Sequence, residues 1–243
     1  MSFKPVRKVT AAVQVAESIR TQVIEGALVP GDALPSEREL ARQMEVNRST
    51  IREALHRLEG MGIVEIRQGG ATRINDFLVK AGLQILPLLV APRGVPDAGL
   101  LQDLMAIRGM LLCWTAQQVA RRVAAEGSGV LASSRLQATV EALRRKDASP
   151  AELQLRDFDF FEELVQLTGN RVLKLLLDPV RQVYLHNRST FEILYRPGAF
   201  DPRHHQRALA AIERGDAEAA GSAMAAHADT ARFGGGPGGG GSS

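Results

Sequence analysis

The sequence predicts a mainly α protein built in two parts. Apolar residues recur at helical spacing through almost all of its 243 residues. Strand-like patterning occurs once, between Ile63 and Ile74. The run Pro92-Arg93-Gly94-Val95-Pro96 has the composition of a linker, and no strand pattern returns after it. The expected organisation is a folded segment over residues 1–76, a connecting helix and linker over 77–98, a helical domain over 99–233 and a Gly/Ser tail over 234–243. The tail cannot bury the surface that folding requires and is expected to be disordered.

Val13, Ala16, Ile19, Val23 and Ile24 share one face of a first helix ending near Gly26. Pro30, Gly31, Asp32 and Pro35 make a turn-rich connector. Ser36 is placed to cap a short helix through Met44, with Glu39 three residues on completing a capping box. Val46-Asn47-Arg48 interrupts it, and Ser49 to Leu58 forms the next helix with Ile51, Leu55 and Leu58 facing inward. Gly60 and Gly62 stop that helix, and Ile63–Ile66 and Ala71–Ile74 pair as strands across a turn at Gly69-Gly70. Helix, helix, turn, helix and hairpin within 76 residues describe a winged helix-turn-helix with a small β-hairpin wing. In the second part, 100–125, 131–145, 151–167, 171–195, 202–214 and 217–231 read as helices, with Asn170 and Asp216 as the clearest starts.

Composition bounds the function. Hydrophobic residues make up 45% and charged residues 23%, values of an ordinary globular protein. The net charge is only +3 although the pI is about 9.3, so a nucleic-acid surface must be sought as a local patch. The single Cys113 excludes an intrachain disulfide and a cysteine metal cage, and fits a reducing cytosol. Met1–Val9 is basic but no apolar run follows, unlike a signal peptide. The longest apolar stretch, Leu83–Ala91, is too short for a bilayer and contains Pro87. A soluble, cytoplasmic protein is expected.

Arg38, Arg42, Arg48, Arg52 and Arg57 fall within twenty residues, with Asn47, Ser49 and Thr50 at the head of the second of the two close helices. A helix that enters the major groove presents its N-terminal residues to base edges. The planar fork of Arg can bond guanine O6 and N7 together. Small hydroxyls and free amides at a helix start suit phosphate. A merely solvated face is the alternative, but Arg48 and Arg52, four apart, would repel one another there.

The runs Leu34-Pro35-Ser36-Glu37-Arg38-Glu39-Leu40-Ala41, Val46 to Leu55 and Leu58-Glu59-Gly60-Met61-Gly62-Ile63-Val64 resemble the GntR family of transcription regulators, over about thirty positions. The resemblance implies that Arg38 and Arg48 read bases, that Ser49, Thr50 and Arg52 hold the DNA backbone, and that Gly69-Gly70 is a wing tip entering the minor groove. It also implies a homodimer on a palindromic double-stranded operator.

The second half resembles the FadR subfamily of those regulators, whose effector domains are antiparallel bundles of six or seven helices. Its marks are Arg108, Asp157 thirteen residues before Asn170, His205 ahead of Ile212-Glu213-Arg214-Gly215-Asp216, and His227 after Met224. Many members hold a divalent metal with an Asp, a His four residues later and two further His. Asp157, His205 and His227 match three of these places, a set suited to Zn²⁺ or Ni²⁺, and Phe161 stands at the fourth. His186 is a conceivable substitute; in the contrary reading the two His are buried, hydrogen-bonded remnants. Phe161, with Phe77, Gly82, Leu83, Ile85 and Leu86, resembles the fatty-acyl-CoA-responsive branch, whereas Ala225-Ala226-His227-Ala228-Asp229 lacks that branch's Tyr, Gly and Ser.

Arg108 admits two readings, a structural ion pair with Asp157 or a clamp for the carboxylate or phosphate of an effector. Trp114, Phe158, Phe160, Phe161 and Tyr184 are expected in the core, with one or two lining a pocket. The effector-binding candidates are thus Arg108, Asp157, Phe161, Tyr184, His205 and His227, and the effector an organic acid or acyl-CoA. Two rivals stand beside a repressor controlled by such an effector: a metal-dependent hydrolase fused to a winged helix, and a ligand-independent architectural DNA binder. The first lacks a nucleophile elbow and a phosphate-cradling loop. The second leaves Arg108, Asp157, His205 and His227 buried to no purpose.

Overall fold

The computed structural model describes residues 10–67 and 69–230. The chain divides into two compact units between Arg93 and Gly94. The Gly/Ser tail lies outside the described residues.

The first unit opens with α1 (Ala11–Ile24), which buries Ala12, Val15, Ala16, Ile19 and Val23 along one stripe. Helix α2 (Glu37–Gln43) is capped by Ser36, whose Oγ accepts from the Glu39 amide. The expected capping box is only half built, because the Glu39 carboxylate turns to Arg42 and Gln43 instead of back to Ser36. Helix α3 (Arg48–Gly60) starts one residue earlier than expected and carries Gly60 in its last turn, with Asn47 as its cap. Ile51, Ala54, Leu55 and Leu58 of α3 pack with the α1 stripe, Leu34, Leu40, Ile63, Val64 and Ile74 in one core.

The hairpin pairs β1 (Val64–Glu65) with β2 (Arg73–Ile74), antiparallel, with Val64 opposite Ile74. Both strands are shorter than the sequence suggests. The Ile66 amide leaves the ladder for the Glu59 carboxylate. Ala33 bridges Arg73, and the Leu34 amide bonds the Thr72 carbonyl, so the connector before α2 supplies a short third edge that composition hides.

The single connecting helix expected after residue 76 is broken. Helix α4 (Phe77–Lys80) ends at Ala81, Gly82 is extended, and α5 (Leu86–Leu89) begins after a tight turn over Leu83–Ile85. Phe77, Ala81, Ile85 and Leu89 pack on the core of the first unit, while Leu78 and Val79 are exposed.

The second unit is all-helical. Asp97 caps α6 (Ala98–Glu126), which packs against α8 (Pro150–Thr168), α11 (Arg203–Glu213) and α12 (Ala217–Thr230). Helix α7 (Leu136–Leu143) packs on α8; it is much shorter than expected, since Ser134 caps the Leu136 amide and a separate turn covers Ser128–Leu131. A full capping box of Ser149 and Glu152 starts α8, and Asn170 caps α9 (Arg171–His186) through the Val172 and Leu173 amides. The long helix expected to Tyr195 instead stops at Asn187, whose side chain donates to the Val183 carbonyl. Helix α10 (Arg188–Glu192) and a tight turn over Ile193–Tyr195 follow. Leu112, Ala116, Val119, Phe160, Leu164, Ile212 and Met224 are fully buried in this unit. Trp114, expected in the core, is 39% exposed. No helix among the described residues is long and apolar enough to cross a membrane.

Candidate functional site

The head of α3 is an exposed, polar surface. Asn47, Arg48, Ser49 and Arg52 are exposed, and Thr50 is half-buried. The Asn47 side chain makes no capping bond, and while the Thr50 amide is taken by the Asn47 carbonyl, the Arg48 and Ser49 amides stay available to an outside acceptor. The hydrophobic face of α3 points the other way, into the core, which fixes this polar face outward.

The charges there are more balanced than expected. Glu37 of α2 lies between Arg48 and Arg52: it accepts two bonds from Arg52 at 2.9 and 3.1 Å and sits 3.7 Å from Arg48. The simple repulsion inferred for that pair is therefore removed by a residue from another helix. The Arg52 hydrogen bond holds the Glu37 carboxyl below its ordinary range. Arg42 and Arg57 are paired with Glu39 and Glu53. Arg38 is exposed and makes no side-chain ion pair or hydrogen bond among the described residues. At the hairpin, Gly69 and Gly70 are exposed, and Gly69 has φ +71°, a conformation that side chains rarely adopt.

The second unit brings five of its six expected residues, Arg108, Asp157, Tyr184, His205 and His227, into one buried knot. The Asp157 carboxylate of α8 receives the His205 Nε2 at 2.7 Å on Oδ1, the Tyr195 hydroxyl at 2.6 Å on Oδ2 and the Arg108 guanidinium on Oδ2. His227 Nε2 lies 3.1 Å from Asp157 Oδ1 and 3.0 Å from Arg108 Nη2. Asp157, His205 and His227 are at most 1% exposed. A Cβ on Gly109 would collide with the Cβ of Ala228, so this glycine lets α6 approach α12 closely and sets Arg108 beside His227.

Burial opposes charge on Asp157, but Arg108 and the two imidazoles outweigh it and hold the carboxyl well below its usual range. Burial pushes His227 down to about 4, so it is neutral and can accept from Arg108. The same burial raises the Tyr195 hydroxyl well above its normal value, which keeps it a proton donor toward Asp157. Phe160 and Phe200 pack on the His205 ring at 4.9 and 5.6 Å, and Phe200 also on His227 at 5.8 Å.

Two patterns decide the family. Residues 11–74 match the profile described as bacterial regulatory proteins, gntR family, and residues 103–230 match the FCD domain. The chain belongs to the gntR family. It is a DNA-binding transcription regulator with an FCD effector-binding domain. The HTH-type transcriptional regulator Mce2R of Mycobacterium tuberculosis is 32% identical over 89% of this chain and 88% of its own. The fatty acid metabolism regulator protein of Pectobacterium atrosepticum is 31% identical over 64% of this chain and 62% of its own. A solved structure of Lar, described as controlling the expression of the Listeria monocytogenes agr system, has a TM-score of 0.54 at 18% identity, covering 93% of this chain and 98% of its own, and so shares the fold.

Within this gntR-family regulator, the donors of Asp157, His205 and His227 lie within 4.8 Å of one another, the spacing of a metal centre. As they stand they do not fit an ion. Arg108 takes the carboxylate and faces the His227 nitrogen, and His205 Nε2 points at a carboxylate oxygen, which requires it to carry the proton. His186, the conceivable substitute, is exposed and turned to the Gln182 carbonyl. Phe161 is buried edge-on against Phe158 and brings no donor. Of the two readings of Arg108, the geometry realises the ion pair with Asp157.

Tyr184 is buried, stacked on Phe191 at 4.6 Å, and its hydroxyl, bonded to Arg108, is raised to about 12 by burial. It also lines a surface cleft with Gln154, Phe158, Arg181 and Arg188. The Gln154 amide is 2% exposed and has no hydrogen-bond partner among the described residues. Tyr195, Phe200 and Gln154 escaped the sequence reading. Tyr195 follows a helix break and meets Asp157 from 38 residues away, so no local spacing marks it.

Proposed function

We propose that this regulator is a repressor that binds a palindromic operator as a homodimer in the cytoplasm and is released by an acidic or acyl effector. Helix α3 enters the major groove with Arg38 and Arg48 on base edges, Asn47 beside them, and Ser49, Thr50 and Arg52 on the phosphates. Gly69-Gly70 follows the minor groove. The observation that carries this reading is the exposed Arg38 of α2, without a side-chain partner among the described residues, together with an α3 head whose two cations share one surface glutamate. A phosphate can take Arg48 and Arg52 from Glu37 at little cost, since exposed ion pairs are worth only about 0–1 kcal/mol.

The effector reading rests on the buried knot of Arg108, Asp157, Tyr184, His205 and His227, with Phe161 close by on α8. The adjoining cleft, with two arginines, the buried Gln154 amide and the rings of Phe158 and Tyr184, has the polarity of an entry for an amphipathic anion. A relative named for fatty acid metabolism points to the acyl class. Binding there would change the spacing of the two α3 helices in the dimer and so shift the population away from the operator-competent form.

The test is a capture of genomic duplex fragments followed by binding measurements on the recovered site, with and without a long-chain acyl-CoA. The proposal expects one recurrent palindrome, a dimer on it, a raised melting temperature with the acyl-CoA and weaker DNA binding in its presence. Recovery of random fragments with no recurrent sequence would overturn the operator assignment. An acyl-CoA that changes neither melting nor DNA affinity, in company with a series of small organic acids that do the same, would overturn the effector assignment.

A further inference from the structure

The polar knot of the second unit holds three metal-type donors, Asp157, His205 and His227, and, in their midst, a cation that belongs to the chain. We infer that the Arg108 guanidinium takes the place of a divalent ion at Asp157, His205 and His227, so that this centre is built to work without metal.

Charge, donor direction and donor number agree on this. Asp157 and Arg108 cancel one another in a site whose residues are almost wholly buried. A divalent ion added to that pair would leave two uncompensated positive charges out of water, a large desolvation penalty. Metal binding also needs a lone pair from each imidazole and a free carboxylate oxygen. Here His205 Nε2 faces Asp157 Oδ1 at 2.7 Å, His227 Nε2 faces Arg108 Nη2 at 3.0 Å, and Asp157 Oδ2 serves both Tyr195 and Arg108. One turn beyond Asp157 on the same helix, where a fourth ligand would stand, Phe161 packs on Phe158. Beside Arg108 on α6, Gly109 lies so close to Ala228 that a Cβ there would collide with it.

The inference goes beyond the operator and effector readings and is read out separately from both. Its positive consequence is that removing Arg108 should uncover a three-donor metal site. The full chain is stripped with EDTA, exchanged into metal-free buffer and titrated with Ni²⁺ or Zn²⁺ alone, followed by native mass spectrometry and melting temperature. The wild-type chain is expected to take up no stoichiometric ion and to melt at one temperature with or without EDTA. Arg108→Met is expected to bind one ion per chain roughly tenfold or more tightly than wild type, with a rise in melting temperature that EDTA reverses and that His227→Ala in the same background abolishes. Should Arg108→Met fail to fold alone, folding on addition of Ni²⁺ is the expected result, and Arg108→Gln repeats the titration with a polar replacement. A wild-type chain that retains one tight ion whose removal lowers its melting temperature overturns the inference. So do Arg108→Met and Arg108→Gln chains that bind ion no better than wild type.

Discussion

The two units use the same chemical pair, an arginine with a carboxylate, in opposite settings. Glu37 holds Arg52 and Arg48 at the surface, with the arginine side chains 59% and 63% exposed. Asp157 holds Arg108 with side-chain exposures of 2% and 12%. Coulomb attraction is similar at the two sites before solvent acts, and solvent then decides the rest. Water screens the first pair to a small energy and makes it exchangeable for another anion, such as a phosphate. The second pair is cut off from water, so neither partner can be removed without leaving a bare buried charge. The contrast separates a pair whose arginines another anion can take over from a pair that cannot be parted without stranding a buried charge.

The sharpest break in that contrast is Asp157→Ala. It strands Arg108 without its carboxylate and should lower unfolding stability by about 3–5 kcal/mol, read as a shifted midpoint in urea unfolding of the full chain. A loss below about 1 kcal/mol would mean that the buried pair behaves like a surface one.

Acid should find the same centre next. His227 has a folded value of about 4 against an ordinary 6.5. Between those values the unfolded chain takes the proton and the folded chain does not, so stability falls as pH is lowered through the window, by up to about 1.4 kcal/mol per pH unit. Asp157 keeps its charge across that window, and its own contribution is lost only as the pH drops below the ordinary carboxylate range. Urea midpoints in buffers near about pH 7 and about pH 5 give the comparison, and a midpoint that holds or rises on acidification contradicts this account of the knot.

The smallest effect belongs to Glu37→Gln. Stability should change by no more than about 1 kcal/mol, while, with α3 in the groove as proposed, affinity for all duplexes should rise, because a carboxylate leaves that surface. Fluorescence anisotropy with a random duplex reads the second effect directly. A large loss of stability in this variant would assign Glu37 a structural role and erase the difference between the two pairs.

Legibility followed the distance between partners along the chain. The α2–α3 segment was readable because its caps, core positions and arginines fall within about thirty residues, so local spacing carries the whole pattern. Ser36 and Asn170 announced their helices for the same reason. Glu37 between Arg48 and Arg52 was invisible, since it reaches them from a neighbouring helix after a turn. Asp157, His205 and His227 were singled out by resemblance, but their closure by Tyr195 and Arg108 depends on contacts 38 and 49 residues apart. Helical periodicity also ran through two breaks. At Ala81 and Gly82 the extended backbone ends α4, and at Asn187, whose side chain bonds the Val183 carbonyl, α9 ends, events that an apolar pattern does not register. Trp114 lay on a helical stripe of apolar residues yet stays partly exposed, because a helix as long as α6 is not covered on every side.

The most direct test of the central claim compares Arg48→Ala with Arg52→Ala on the recovered operator and on a random duplex, by anisotropy across a salt series. The account predicts that Arg48→Ala loses about 1–3 kcal/mol on the operator alone, while Arg52→Ala weakens both duplexes alike and lowers the salt slope by about one. Equal losses on both duplexes for both variants, or no loss for either, would contradict it.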